Sequence, residues 1–146
     1  MGTAAEIIFR KMQISDIDAV INFVKEFDED FFVDELHDEN IFYIIGEIDG
    51  EIFSCANFKF FLNDAEVAIF TVAPKFRGRG LAQKLLAALM ENAKSFQFKT
   101  MTFDIAVSNI PALHILKKAG FTIVERRNLF CDGENAVTLR ADLEEI

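Results

Sequence analysis

Hydrophobic residues recur along this chain at two spacings, one typical of helices and the other typical of strands. After Ser15, which suits a helix cap, apolar side chains return every three or four positions and predict an amphipathic helix. This stripe consists of Ile17, Val20, Ile21, Val24 and Phe27. From residue 41 the pattern changes to two segments rich in Ile and Phe, 41–48 and 51–62. The dipeptide Asp49-Gly50 between them predicts a two-residue hairpin turn.

The rest of the chain continues this alternation of strands and helices. Residues 65–73 predict a further strand, which Pro74 ends because proline cannot donate to a strand ladder. Gly78-Arg79-Gly80 opens a helix, and Ser108-Asn109 precedes another. The remaining predicted elements are strands at 7–9, 100–107, 121–131 and 135–139, the last two around Asp132-Gly133, and a loop with a short second helix within 26–39. The sequence therefore predicts one α/β domain, residues 1–146, with a mixed sheet.

Composition narrows the class of protein. The 146 residues are 51% hydrophobic, which is enough apolar material for one compact core. Cys55 and Cys131 are too few for a disulfide scaffold, and we expect reduced core thiols in a cytoplasmic protein. No apolar run approaches the roughly 18 residues that span a bilayer, so no membrane partner is expected. No His/Cys cluster points to a metal site, so none is expected.

The charge is unevenly distributed along the chain. The formal net charge is -9, and a protein that binds a nucleic-acid duplex would carry a basic footprint instead. Residues 1–73 hold 4 basic and 16 acidic residues, whereas residues 74–146 hold 11 basic and 8 acidic ones. We therefore expect no nucleic-acid partner, and we expect the two halves to face different partners.

Residues 72–82 have the features of a phosphate-binding turn: a strand, a turn with two glycines and the start of a helix. The first amides of a helix have no internal partners and carry the positive end of its dipole, so they bind phosphate readily. Lys75, Arg77 and Arg79 add positive charge. The tail Gly-Leu-Ala excludes a Walker loop, and the preceding antiparallel meander does not fit a dinucleotide-binding unit.

Two segments resemble the signatures of the GCN5-related N-acetyltransferase (GNAT) family. Residues 77–82, Arg-Gly-Arg-Gly-Leu-Ala, match its Arg/Gln-x-x-Gly-x-Gly/Ala motif for acetyl-CoA, and residues 109–121 resemble its Asn-x-x-Ala…Lys-x-Gly-Phe motif. The order of elements agrees over essentially the whole chain. The resemblance implies a mixed, mostly antiparallel sheet of about seven strands with about four flanking helices. It also implies that strands four and five splay apart to admit the pantetheine arm.

The same resemblance implies a set of residues that hold acetyl-CoA as the cosubstrate. The backbone of 70–72 would bind the pantetheine arm and the acetyl group, the amides of 78–83 the pyrophosphate, and Asn109 the pantetheine region. Lys117 or Lys118 would reach the nucleotide phosphate. The expected cofactor-binding residues are Phe70, Thr71, Val72, Arg77, Gly78, Arg79, Gly80, Leu81, Ala82, Gln83, Asn109 and Lys118.

Acetyl transfer to an amine needs a base, and two carboxylates are candidates. Glu66 stands six residues before Val72, the spacing of the catalytic Glu in histone-acetyltransferase-type members of the family. Asp104 stands five residues before Asn109, the spacing of the acidic residue in enzymes that acetylate ribosomal-protein N-termini. Burial in an apolar strand would desolvate either carboxylate, which suits a general base. The sequence leaves both open and favours Glu66.

One residue departs from the family pattern. Many members place a tyrosine, the donor of a proton to the leaving thiolate, at the position of Leu116, and leucine cannot donate. Tyr43, the single tyrosine, is expected in the core, and His114 is expected on the surface or otherwise satisfied. The thiolate would then leave unassisted or take its proton from water. The departure keeps a second function open, an acyl-CoA-binding regulatory or interaction module with little or no turnover.

The acceptor is the least defined partner. Residues 26–39 hold eight carboxylates and no Lys or Arg, and in this family the segment after the first helix walls the acceptor site. Negative potential concentrates cations, so a cationic primary amine, either a small molecule or a peptide amine, is the expected acceptor, attacking directly in a ternary complex. The physiological acyl group is not indicated, and the sequence fits a monomer or a homodimer.

Overall fold

The structure is a computed structural model that describes residues 5–130 and 134–144. Cys131 and the predicted turn Asp132-Gly133 lie outside the described residues. The described chain forms four α-helices, α1 Ile17–Ile21, α2 Glu29–His37, α3 Leu81–Ser95 and α4 Ile110–Lys118. Its eight strands are β1 Ile7–Lys11, β2 Ile41–Ile48, β3 Glu51–Phe61, β4 Asp64–Val67, β5 Phe70–Val72, β6 Thr100–Ala106, β7 Thr122–Phe130 and β8 Glu134–Asp142.

The strands pair in the order β1-β2-β3-β4-β6-β8-β7, and β5 pairs separately with β3. The β4–β6 pair is parallel, whereas the pairs β1–β2, β2–β3, β3–β5, β6–β8 and β7–β8 are antiparallel. This confirms the predicted mixed α/β class with an open, mostly antiparallel sheet. The predicted strand at 65–73 is in fact two strands with different partners, β4 with β6 and β5 with β3.

The chain divides into two compact units. The first consists of Met1–Lys59 and Ile69–Leu89, and the second of Phe60–Ala68 and Met90–Ile146. A buried apolar cluster lies within the first unit, where residues from α1, α2, β2 and β3 pack together. Its buried members are Met12, Ile17, Val20, Val24, Phe32, Tyr43, Ile45, Cys55 and Ile69. Ile17, Val20 and Val24 of the predicted stripe are therefore confirmed as core residues. The predicted length of the helix is wrong, because α1 ends at Ile21, and Phe27, the last residue of the stripe, is exposed.

The start of the first helical segment differs from the prediction. A 3-10 turn, Ile14–Asp16, precedes α1, and Gln13 rather than Ser15 occupies the cap position. The Asp16 carboxylate accepts a hydrogen bond from the backbone N–H of Gln13 at 2.7 Å and two from the Arg10 guanidinium at 2.8 and 2.9 Å. With this buried carboxylate in its 3-10 turn, the helical segment starts at Gln13, two residues before the cap position that the sequence predicts. The prediction of Ser15 as the cap is wrong.

The second unit has its own local signals. Asn109 caps α4 through its side-chain oxygen, which accepts from the Ala112 N–H, and Pro111 lies in the first turn. The chain leaves the helix at Gly120 with a φ of 102°, a left-handed conformation that favours glycine. Phe121 then packs edge-on against Phe103 of β6. The predicted cap and stop of this helix are confirmed. In the parts of the chain that the structure describes, no helix is long and apolar enough to cross a membrane.

Candidate active site

Strand β5, in the first unit, presents its peptide groups in two directions. It runs antiparallel to β3, with Thr71 opposite Cys55, and the flanking hydrogen bonds run from the Asn57 N–H to the Ile69 carbonyl and from the Ala73 N–H to the Phe53 carbonyl. In an antiparallel pair, alternate residues point their peptide groups at the partner strand. The peptide groups of Phe70 and Val72 are therefore directed away from β3. This is the orientation that backbone binding of a pantetheine arm requires.

The loop between β5 and α3 is shaped for a phosphate. Gly78 and Gly80 have φ values of 79° and 74°, which only glycine adopts without strain, and α3 begins at the next residue, Leu81. A Cβ atom built on either glycine would meet no atom within 4 Å. The loop thus offers open space beside the N-terminus of a 15-residue helix, which fits the pyrophosphate of coenzyme A.

The cations of this loop differ in what they contact. The Arg77 Nε donates to the carbonyl of Val72 at 3.0 Å, so this side chain braces the loop against β5. Lys75 and Arg79 both lie 5.3 Å from the centre of the Phe76 ring. The ammonium of Lys75 also pairs with the exposed Glu51 carboxylate at 3.0 Å. Leu81 is buried, Ala82 is half-buried and Gln83 is exposed at the start of α3.

The two candidate bases both belong to the second unit. Glu66 lies on β4 opposite Thr102 of β6, and Asp104 lies two residues further along β6. Side chains alternate between the faces of a strand, so all three of these residues lie on one face of the sheet. Both carboxylates are exposed, because buried residues alternate with more exposed ones on each strand: Ala65 is the buried residue of β4, and Met101 and Phe103 are those of β6. The expectation that an apolar strand desolvates these carboxylates is wrong.

The two carboxylates differ in their partners. The Asp104 Oδ1 accepts a short hydrogen bond from the Thr138 hydroxyl, and its Oδ2 lies 3.8 Å from the Arg127 guanidinium. Among the described residues, no hydrogen bond or ion pair engages the carboxylate of Glu66. The carboxylate of Asp104 is thus held by two neighbours, whereas that of Glu66 is not.

Helix α4 carries the second signature motif. Asn109 is exposed and uses its side-chain oxygen on the Ala112 N–H at 3.3 Å. Lys117 and Lys118 are exposed in its last turn. Leu116 is 3% exposed, so it is a core side chain and offers no polar group. His114 is exposed, as expected.

The single tyrosine lies in the core of the first unit. Tyr43 is 1% exposed, and its hydroxyl donates to the Glu35 Oε1 of α2 at 2.8 Å. Burial, together with the hydrogen bond to Glu35, raises the pKa of the Tyr43 hydroxyl above its usual value. The hydroxyl is therefore a firmly protonated donor. The burial of Tyr43 was predictable from the sequence, whereas its hydrogen-bond partner Glu35 was not, since no local pattern marks it.

The acidic segment 26–39 is mostly a solvated surface. The helix α2 occupies its centre, and Asp28 caps that helix by accepting from the Phe31 N–H at 2.9 Å. Seven of the eight carboxylates are exposed, and Glu35 alone among them is half-buried. In residues 5–130 and 134–144, no group of three or more His, Cys, Asp or Glu side chains is arranged to hold a metal ion.

Comparison with known proteins defines the family. The model of the acetyltransferase (GNAT) family matches residues 11–121, which is most of the chain. The N-alpha-acetyltransferase of Sulfurisphaera tokodaii is 29% identical over 125 residues, which cover 84% of this chain and 75% of that protein. The chain belongs to the acetyltransferase (GNAT) family. It is therefore an N-acetyltransferase with acetyl-CoA as its cosubstrate.

Solved structures share the fold at low sequence identity. A chimera of the spermidine N-acetyltransferase SpeG from Vibrio cholerae superposes with a TM-score of 0.86 at 16% identity, covering 95% of this chain and 96% of that one. The protein yncA from Salmonella typhimurium, solved with its cofactor acetyl-CoA, has a TM-score of 0.83 at 18% identity, with 94% of each chain covered. At such identities the likeness establishes the fold.

Proposed function

We propose that this enzyme acetylates a cationic primary amine by direct attack of the amine within a ternary complex. When bound, acetyl-CoA supplies a thioester whose carbonyl carbon the amine attacks; the C–N bond forms and the C–S bond breaks. The observation that supports a cationic acceptor is the exposed carboxylate surface of residues 26–39. Focused negative potential raises the local concentration of a cation and its association rate.

The first unit supplies the groups suited to the cosubstrate. The outward peptide groups of β5 fit the pantetheine arm, and a backbone N–H there fits a developing oxyanion. The glycine loop and the first amides of α3 fit the pyrophosphate. Asn109 and Lys118 of the second unit are assigned to the pantetheine region and the nucleotide phosphate by the family motif they match.

Proton transfer is assigned to the exposed polar face of the second unit. We assign the base to Glu66, whose carboxylate has no partner among the described residues, and we keep Asp104 as the alternative. Leu116 is a core residue, so the position where many family members carry a tyrosine supplies no proton here. The leaving thiolate would then take its proton from water.

Two classes of acceptor follow from the related proteins. The archaeal relative is named for the α-amine of proteins, and the structural neighbour from Vibrio cholerae for spermidine. Both acceptors are cationic amines at neutral pH, which agrees with an acceptor site lined by the exposed carboxylates of residues 26–39. The archaeal relative has the higher sequence identity, 29% against 16%, so a peptide N-terminus is the first class to test.

The test is release of free CoA thiol from acetyl-CoA over a panel of peptide N-termini, lysine peptides and polyamines. Amine-dependent release supports an N-acetyltransferase, and its absence across the panel supports an acyl-CoA-binding module with little turnover.

The role of the acidic wall, the exposed carboxylates of residues 26–39, is tested with the triple variant Glu29→Gln, Asp30→Asn and Asp34→Asn, which leaves the Asp28 cap and Glu35 intact. We expect its KM for a cationic acceptor to rise about 3-fold to 10-fold at low salt. An unchanged KM would contradict the role of the acidic wall.

A further inference from the structure

Three cross-strand neighbours form a row on the polar sheet face of the second unit. Thr102 of β6 lies opposite Glu66 of β4 on one side and opposite Arg140 of β8 on the other. Paired positions point their side chains to the same face of a sheet, so all three share one face. Adjacent strands lie about 4.8 Å apart, so the backbone positions of Glu66 and Arg140 are about 10 Å apart. The row therefore has an acidic end and a basic end.

The guanidinium of Arg140 is oriented by hydrogen bonds within this face. Its Nε donates to the Thr102 Oγ1 at 3.2 Å, and that hydroxyl donates its own proton to the Asp64 Oδ1 at 2.8 Å. The same oxygen of Asp64 accepts from the Thr100 hydroxyl at 2.6 Å. Among residues 5–130 and 134–144, no partner engages the two terminal nitrogens of Arg140, and its side chain is exposed. An oriented guanidinium fork is therefore open to a ligand.

A second arginine of this face, Arg127, is already paired with carboxylates. Its guanidinium lies 3.8 Å from the Asp104 Oδ2 and 3.6 Å from the Glu125 Oε2. Arg140 instead contacts one neutral hydroxyl. Asp142, the next residue on the same face of β8, lies outside ion-pair distance of Arg140 and accepts a backbone N–H. A guanidinium fork matches a carboxylate through two parallel hydrogen bonds, so Arg140 fits a carboxylate that no described residue supplies.

We propose that Arg140 is a specificity-determining residue that binds a carboxylate of the acceptor, so that one acceptor molecule carries both the reactive amine and a carboxylate. The proposal rests on the proposed function, because it places the amine at Glu66, the assigned base. The ammonium then lies at the acidic end of the row and the carboxylate at the basic end. Two sources offer this chemistry: a peptide N-terminus followed by an acidic residue, and a free amino acid with its own α-carboxylate.

A binding measurement without turnover tests the assignment. Two pairs of acceptors are titrated by calorimetry into the protein saturated with CoA: peptides that differ only in Glu or Gln at the second position, and alanine beside alaninamide. We expect the carboxylate-bearing member of one pair to bind about 5-fold to 10-fold more tightly at low salt and the preference to shrink at high salt. The pair that shows the preference identifies the source of the carboxylate. Arg140→Gln should abolish the preference. Equal binding within both pairs in the wild type, or a preference that persists in Arg140→Gln, would overturn the proposal.

The matched control is Arg126→Gln on β7. Arg126 is exposed and pairs with Val137, whose buried side chain lies on the face of β8 opposite to that of Arg140. The control therefore removes the same charge from the other face of the sheet, and it should keep the wild-type preference. Equal loss of the preference in the two variants would indicate a general effect of net charge and would overturn the proposal.

Kinetics test the consequence for acetyl transfer. In the wild type, kcat/KM for the carboxylate-bearing acceptor should exceed that for its neutral counterpart about 5-fold to 10-fold, mainly through KM. In Arg140→Gln this ratio should fall to about 1. A loss of kcat/KM that is equal for both acceptors would assign a merely structural role to Arg140 and would overturn the proposal. Absence of turnover with every acceptor in the wild type would instead refute the proposed function, and the binding preference would still decide the role of Arg140.

Discussion

The two compact units differ in how many polar side chains they bury: among the described residues Asp16, Ser54 and Asn57 are buried in the first, and Thr138 in the second. In the first unit, Tyr43, Asn57 and Asp16 are buried, and each hydrogen-bonds a specific partner. In the second unit, the polar residues of β4 and β6 lie on a sheet face where Glu66 and Asp104 are exposed. A buried polar group is costly unless it is paired, so its partners are fixed. An exposed one can exchange partners, and this freedom is what proton transfer requires.

The contrast separates two kinds of substitution. Removing a buried polar group of the first unit should reduce the free energy of unfolding or displace a neighbouring strand. Removing an exposed carboxylate of the second unit should leave stability nearly unchanged, because exposed pairs contribute about 0–1 kcal/mol. A substitution in the second unit that lowers activity without lowering stability would therefore identify a residue that takes part in the reaction.

The largest effect is expected at Glu66. Glu66→Gln keeps the size of the side chain but cannot take a proton, and general-base catalysis contributes about 100-fold to 10,000-fold. We expect kcat/KM for the amine to fall at least about 100-fold, with an unchanged melting temperature and an unchanged Kd for acetyl-CoA. Steady-state kinetics, thermal unfolding and cofactor titration measure the three quantities.

The matched control for Glu66 is Asp104→Asn on the neighbouring strand. Its amide oxygen still accepts from the Thr138 hydroxyl, so the local structure should persist. We expect a loss of activity below about 10-fold. The reverse ranking of the two variants would transfer the base to Asp104 and would show that an engaged carboxylate, rather than the unengaged one, does the chemistry.

Local signals account for what the sequence could predict in this molecule. The glycine loop, the Asn109 cap and the Asp49-Gly50 hairpin each depend on a few adjacent residues, and all three appear in the structure. These features position the expected cofactor site. The fold class was predictable because the order of elements repeats that of a known family.

The register of the β2–β3 pair could not be predicted from its hairpin turn alone. A two-residue turn at 49–50 pairs Ile48 with Glu51, and a regular ladder would continue to pair Tyr43 with Ala56. The register shift at Gly46/Glu47 moves Tyr43 opposite Asn57 instead. A Cβ at Gly46 would lie 2.5 Å from the Ser54 Oγ, so close packing at this irregularity requires glycine. That packing is a tertiary property which no local pattern reveals.

The next largest effect is expected at Asp16 in the first unit. The Arg10 hydrogen bonds hold the pKa of the buried Asp16 carboxyl below its usual value, against the opposing effect of burial. Asp16→Asn should cost about 2 kcal/mol of unfolding free energy near pH 7, because hydrogen bonds to a charged group are lost. Activity of the folded fraction should stay within about 2-fold of wild type.

The lowered pKa of Asp16 also predicts how the stability difference between wild type and Asp16→Asn changes with pH. A carboxyl whose folded pKa is lowered stabilises the protein above its unfolded pKa, and that contribution disappears as the pH falls through the folded value. The difference between wild type and Asp16→Asn should be constant from pH 6 to 8 and shrink below about pH 4. Urea unfolding at each pH measures it. A difference that grows on acidification would contradict the role of the Arg10 contact.

The smallest effect is expected at Gly80 of the first unit. This glycine lies in the loop before α3, where the backbone faces open space and is not buried. Gly80→Ala places a methyl group in the space assigned to the pyrophosphate and strains a φ of 74°. Gly50→Ala, at a φ of 85° in the hairpin turn and also with no atom within 4 Å, is the matched control for strain. Both variants should lose about 1–2 kcal/mol of stability, since each forces alanine into the left-handed region. The Kd for acetyl-CoA should rise roughly 10-fold in Gly80→Ala alone, because there the methyl group also excludes a phosphate from the helix N-terminus. An equal Kd in the two variants, measured by titration calorimetry, would show that the loop contributes its conformation but not its open space.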